Sequence, residues 1–241
     1  MNVLLSMGLV SLTAGIVQSV TGFGAGIVIM LFLPLYLPMN VAPAISNGAS
    51  FPLAWAILFR YRREANYRLA LVPIIVYLAI STIAIKISAT INLDYLQIVF
   101  GFLLIALSGY YLLFSGKIVL KQSLRTACLC GILSGLMGGF FGIGGPPLAI
   151  YFLSTTKSKE EYLGTINFLF SVTSTYQFLA RIGVGLFTGA QVPLLLCCIA
   201  MILVGRFAGS RIVDRINGEQ LKKCVYGFLG IAGVTTIIGC L

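Results

Sequence analysis

The first charged side chain in this sequence is Arg60. Ahead of it, residues 3–38 form one apolar stretch of 36 residues, nearly twice the roughly 20 that cross the hydrocarbon layer of a bilayer as a helix. Later runs are nearly as long, and the chain has little with which to clothe them in water. Hydrophobic residues make up 59% of its 241 positions and charged residues 9%, where a soluble domain carries about 25% charged. Six acidic side chains and no histidine leave lipid as the surrounding that such a surface fits. The runs do not alternate in polarity over about ten residues as barrel strands do, so the spans are helices. The sequence therefore predicts an all-α polytopic membrane protein.

Ordinary spans are expected near 41–60, 68–90, 93–116, 161–181, 190–213 and 219–241. Two segments are too long to be single spans, and each is interrupted. Residues 3–38 contain Gly22-Phe23-Gly24-Ala25-Gly26, and the 29 residues of 127–155 contain Gly142-Ile143-Gly144-Gly145-Pro146-Pro147. Glycine is too free to hold a helix and proline lacks the amide hydrogen that continues one. Each long segment is expected to be a broken or re-entrant helix.

The interruptions belong to a repeat. A shift of 120 residues lays Gly15 on Gly135, Gly22 on Gly142, Gly24 on Gly144, Asn47 on Asn167 and Pro73 on Pro193. A shift of 126 lays Val99-Phe100-Gly101-Phe102-Leu103 on Val225-Tyr226-Gly227-Phe228-Leu229. Glycine matches alone mean little with 27 glycines present, but asparagine and proline in the same register point to duplication, with halves 1–120 and 121–241. Basic residues, which gather on the cytoplasmic side, orient the halves. If each broken segment crosses once, the sixteen basic residues divide equally between the two sides. If each enters and returns, fourteen share one side and only Lys86 and Arg181 lie opposite. The second arrangement makes the halves two inverted-topology repeats, puts both termini outside the cytoplasm, and explains the net charge of +10 without nucleic acid.

Inverted repeats with matching broken helices are a signature of secondary transporters. Irregular backbone at membrane depth is tolerated only where it lines a cavity or is buried in protein. A helix starting there turns unbonded amide hydrogens and the positive end of its dipole toward that cavity. Starts after Gly26 and after Gly145 make a candidate anion site built from Gly22, Phe23 and Gly24 in one half and Gly142, Ile143, Gly144 and Gly145 in the other. Close helix packing also explains small residues, although packing spreads glycines rather than clustering them beside tandem prolines. Asn47, Asn167 and Gln177 are the amide side chains expected to complete the site, with Gln18, Thr21, Ser50, Thr165, Ser171 and Thr173 nearby. Glu64, Asp94, Glu160, Glu161, Asp214 and Glu219 all fall at loops or span ends. Carboxylates and histidines are thus missing where a cation site, a metal site, a proton relay or an embedded enzyme needs them. That favours an anion or a neutral solute, with no cofactor and no catalytic residue. Arg181 and Lys86 are read as outer-surface residues that steer an anion or snorkel to the interface, and Arg206 as an inner counterpart. Cys128, Cys130, Cys197, Cys198, Cys224 and Cys240 read as small hydrophobes. Tyr61, Tyr67, Tyr110, Tyr111, Tyr151 and Tyr162 read as interfacial anchors.

The two glycine motifs, Gly22-Phe23-Gly24-Ala25-Gly26 followed by Pro34 and Phe141-Gly142-Ile143-Gly144-Gly145-Pro146-Pro147, resemble those of the TauE/SafE family of sulfite exporters, also called the sulfonate uptake permease family. The resemblance covers essentially the whole chain. It implies a multi-pass cell-membrane carrier of small anions such as sulfite, sulfoacetate or other organosulfur compounds, working by alternating access. Ala25 stands where the family's first motif often has glycine, which implies a first-half site less open than the second. A passive anion channel, or a carrier of a small carboxylate or a neutral solute, stays open as an alternative. So do the coupling ion, the direction of transport and self-association into a homo-oligomer.

Overall fold

A computed structural model describes residues 3–114 and 120–212, and its regular structure over those residues is helical throughout. The first long segment becomes α1 (Val3–Thr21), a break, the short α2 (Ala25–Met30) and a 3-10 turn at Leu33–Leu35. Three spans follow, α3 (Ala42–Tyr61), α4 (Tyr67–Ser88) and α5 (Leu93–Phe114). The second long segment becomes α6 (Leu124–Phe141), a break and α7 (Gly145–Thr155). Last come α8 (Lys159–Gly183) and α9 (Val192–Ile212). The expected span at 219–241 lies outside the described residues.

Helix starts are set by polar caps at the loop ends. Asn66 Oδ1 accepts from Leu69 N at the head of α4, Ser123 and Thr126 form a capping box at the head of α6, and Ser158 Oγ accepts from Glu161 N at the head of α8. Each cap satisfies amide hydrogens that a first helical turn leaves unbonded. The starts of α2 and α7 have no side-chain oxygen of their own cap residue bonded in this way.

Polarity is turned inside out relative to a soluble bundle. Leu5, Leu9, Phe59, Ile75, Phe102, Leu179, Leu196 and Phe207 are exposed, while Ser11, Gln18, Ser46, Asn47, Asn167, Thr173, Gln177 and Arg181 are buried. Among the described residues, six helices are long and apolar enough to cross a membrane: α1, α3, α4, α5, α6 and the Gly189–Arg211 segment containing α9. At 25 residues, α8 is the longest helix among the described residues. It falls outside that group because it carries a buried polar stripe. The molecule is a multi-pass membrane protein.

Packing runs in the order α1, α9, α3, α8, α4, α6. The outer pairs meet through glycines. On α1 and α9, a Cβ at Gly8 would lie 3.4 Å from Met201 Cγ, and one at Gly15 would lie 3.0 Å from Arg206 N. On α4 and α6, a Cβ at Gly131 would lie 3.0 Å from Val76 Cβ, and one at Gly135 2.9 Å from Ile80 Cβ. Residue numbers rise together along each pair, so both pairs are parallel and too close for larger side chains, as small residues permit in membranes. Between them α3 and α8 run antiparallel, Gly48 meeting Phe178, Trp55 Nε1 donating to Thr175 Oγ1, and Gly164 meeting Ala65.

Tyr36, beyond the first break, returns to Ser6 near the start of α1, with 3.3 Å between their hydroxyl oxygens. Tyr151 on α7 likewise lines one cavity with Leu124 and Ala127 at the start of α6. Two expected interfacial anchors prove to be internal: Tyr151 and Tyr162 are buried. Tyr162 faces the first break because α8 begins beside it, and its hydroxyl donates to Thr21 O at 3.2 Å.

Candidate functional site

The two breaks face each other across a cavity of about 40 Å3, lined by residues that include Gln18, Gly24, Gly26, Asn47, Ser50, Tyr77, Gly142, Ile143, Gly144, Gly145, Phe170 and Ser174. Of the residues expected from sequence, Gly24, Asn47, Gly142, Ile143, Gly144 and Gly145 come together on this lining. Gly22, Phe23, Asn167 and Gln177 lie behind it.

The first break is closed by its own surroundings. Gly22 and Gly24 take positive φ values of 82° and 105°, which lets the chain reverse where a side chain would be strained. Asn167 Nδ2 donates to Gly22 O (3.2 Å) and to Leu163 O (2.9 Å), and its Oδ1 accepts from Gln18 Nε2 (3.2 Å). Gln18 Oε1 in turn accepts from Ala25 N at 3.3 Å, the first amide of α2. Thus Asn167 acts as a bracket on the break. The new helix begins one residue before Gly26, and its first amide is already occupied.

The second break is more open. Gly142 ends α6 with φ 68°, its amide donating to Gly138 O (2.8 Å) while Ile143 N donates to Met137 O (3.3 Å). The left-handed Gly142 with its amide on Gly138 O is an αL-type stop. Pro146 and Pro147 follow Gly145 at the head of α7, so of its first three residues only Gly145 carries an amide hydrogen. Phe23 and Phe170 lie over that glycine, each with an atom 3.3 Å from where a Cβ would be.

Two side chains complete the lining without partners of their own. Asn47 is 3% exposed and its Nδ2 has no hydrogen-bonding partner; Ser50 is 8% exposed and its Oγ has none. Buried polar groups in native proteins are almost always bonded, to protein or to ordered water, and these two turn to the same small cavity. An oxyanion can accept from both. Among the described residues no charged side chain lines this cavity, and no group of three His, Cys, Asp or Glu could hold a metal ion.

Three cationic residues behave differently from one another. Lys86 is exposed, as an interfacial residue would be. Arg206 joins Arg60 and Lys159 around a second cavity of about 30 Å3, with Nη2 donating to Ala56 O at 2.8 Å. Arg181, expected at the outer entrance, is instead fully buried. It bends inward because α6 ends nearby on two carbonyls that its Nη2 caps, Gly138 O (3.1 Å) and Gly139 O (2.7 Å). Tyr77 was not singled out by the sequence, yet it forms part of the cavity wall and is 3% exposed. The signal that could have found it is position: it lies in the middle of a span, whereas tyrosines favour span ends.

Comparison with known proteins agrees with this picture. The family described as "Sulfite exporter TauE/SafE" matches residues 7–236. The protein is similar to the "Probable sulfite/organosulfonate exporter TauE" of Cupriavidus necator, with 25% identity over 231 residues covering 88% of this chain and 85% of that one. No solved structure matches it. The chain belongs to the TauE/SafE sulfite exporter family, a family of membrane transporters.

Proposed function

We propose that this protein carries a small sulfur oxyanion, sulfite or an organosulfonate, across the cell membrane, and that the cavity between the two breaks is where the anion rests. One observation carries this reading: the unbonded Asn47 Nδ2, joined by Ser50 Oγ, faces a cavity lined by the Gly142–Gly145 backbone and by no acidic side chain. About 40 Å3 is room for about three water-sized groups, a match in scale for the three oxygens of a sulfite or sulfonate head. Hydrogen bonds from such donors to a charged acceptor are worth about 1.5–3 kcal/mol each, enough to hold the anion without a fixed cation.

Alternating access is the mechanism we infer, with residues 1–120 and 121–241 as inverted halves rocking about the site. Three features support the inversion. The parallel pair α1 and α9 has its counterpart in α6 and α4 under exchange of the halves. Both broken segments return toward their starting ends, at Tyr36 beside Ser6 and Tyr151 beside Leu124. Arg60, Lys159 and Arg206 share one cavity, as basic residues on one membrane face would. In this topology the termini are extracytoplasmic.

The test is counterflow in proteoliposomes. Vesicles loaded with unlabelled sulfite should transiently concentrate labelled sulfite from outside, saturably, with chloride unable to replace it. Uptake that only equilibrates, without overshoot, would replace the carrier with a passive channel. Counterflow supported by a carboxylate and not by sulfite or a sulfonate would remove the sulfur assignment.

A further inference from the structure

One fully buried cation uses only part of its hydrogen-bonding capacity on the end of α6. Arg181 is 0% exposed, and only its Nη2 is bonded, to the Gly138 and Gly139 carbonyls; Nε and Nη1 have no partner. The acidic residues among the described ones, Glu64, Asp94, Glu160 and Glu161, sit in loops or first helical turns and none is buried. Among the described residues, then, no carboxylate meets this positive charge held away from water, and its hydrogen bonds go to carbonyl dipoles. A guanidinium so placed is costly without a counter-charge, and its spare N–H groups suit an oxyanion.

Placement says which anion it could meet. Asn167, Ser171, Ser174, Gln177 and Arg181 follow one another at three- or four-residue intervals, so they share one face of α8, and all five are buried. From first to last this stripe spans roughly 21 Å at 1.5 Å per residue. Ser174 lines the cavity, and Arg181 lies two turns further along the helix. Tyr77 stands between. It forms part of the cavity wall, and its hydroxyl is lodged against Gly138 and Gly144, where a Cβ on either glycine would overlap it. Gly138 is also the residue whose carbonyl Arg181 holds. The phenol thus stands between the cavity and the guanidinium, set against Gly138 and Gly144 and beside Gln177 and Thr173 of α8.

We propose that Arg181 is a second subsite for the same class of small oxyanion, reached from the glycine-lined cavity when the Tyr77 phenol moves aside. This rests on the anion-carrier reading above. The anion passes from neutral donors at Asn47 to the guanidinium, and the polar face of α8 is the wall it follows.

The experiment measures sulfite affinity in detergent and sulfite exchange in proteoliposomes for the full-length wild type, Arg181→Gln and Gln177→Glu. Arg181→Gln removes the charge and keeps a donor for the α6 carbonyls. Gln177→Glu leaves the arginine in place and gives it an internal partner one turn away. Both should keep sulfite affinity within about threefold of wild type while exchange falls at least tenfold. Gln177→Glu should also melt higher than wild type in the absence of sulfite, as a buried guanidinium given a carboxylate would whatever its role; lost exchange at retained affinity is the readout that a purely structural arginine would not produce. Wild-type exchange in either variant would overturn the second subsite and leave the anion carrier standing. No sulfite binding by the wild type would overturn both.

Discussion

The two breaks share a sequence signature and differ in what surrounds them. At Gly22–Gly24 the freed backbone is taken up by side chains: Asn167 holds Gly22 O, Tyr162 holds Thr21 O, and Gln18 occupies the first amide of α2. At Gly142–Gly144 the preceding helix is closed by its own stop and by Arg181, while the start of α7 turns glycine backbone toward the cavity. A glycine cluster thus marks a chain reversal in both cases, and both clusters reach the cavity, but side chains occupy the first break's freed backbone where the second break's Gly144 and Gly145 are left to line it. The two asparagines at equivalent repeat positions divide in the same way. Asn167 spends its amide on the first break, and Asn47 keeps its Nδ2 for the cavity.

Substitutions can break or sharpen this contrast. The largest effect is expected from Gly145→Val, whose added carbons would enter the space between Phe23 and Phe170 and close the cavity. Sulfite affinity should fall at least about a hundredfold, equivalent to ~2.8 kcal/mol, measured by titration of protein that remains monodisperse in detergent. Next comes Asn167→Ala, which leaves the buried Gly22 carbonyl and Gln18 amide short of partners. Denaturation should show about 2 kcal/mol of lost stability, with affinity in the folded fraction unchanged. Asn47→Ala should do the reverse, lowering affinity about tenfold (~1.4 kcal/mol) with little loss of stability, since its Nδ2 has no partner to lose. Smallest are Gly24→Ala and Gly142→Ala, each costing roughly 1 kcal/mol or slightly more for a left-handed alanine. Only the second should also weaken binding, severalfold, because its Cβ would press on Pro43 Cβ at 3.2 Å, one helical turn before Asn47. Equal affinity losses for Asn47→Ala and Asn167→Ala would erase the distinction between the breaks.

Much of the scaffold was legible because membrane spans are written in runs. The expected span at 41–60 is α3 and that at 68–90 is α4, each within two residues at either end, and both interruptions fall where glycine and proline cluster. The roles of particular polar residues were not legible in the same way. Asn47 and Asn167 are chemically identical and in the same register, and only the approach of Gln18 and the first break to α8 sets them apart. Arg181 ends a span, where a lone cation ordinarily snorkels; its inward turn depends on α6 stopping close by at Gly142. Tyr77 carries no local signal beyond its depth in a span, since the glycines that receive its hydroxyl lie more than 60 residues away in sequence, at Gly138 and Gly144. Periodicity reads one helix at a time, and these contacts are made between helices.

In the proposed function a small sulfur oxyanion rests in the cavity between the two breaks, against the Gly142–Gly145 backbone. The most direct measurement is the melting temperature of the full-length protein in detergent with sulfite, sulfate, thiosulfate, a short sulfonate or a short carboxylate, each compared with chloride at fixed ionic strength. A ligand that binds only the folded state raises the melting temperature by mass action. A saturable rise with sulfite or the sulfonate, absent in Gly145→Val, is expected. A rise of equal size in Gly145→Val, or a rise with the carboxylate and none with any sulfur anion, would contradict it.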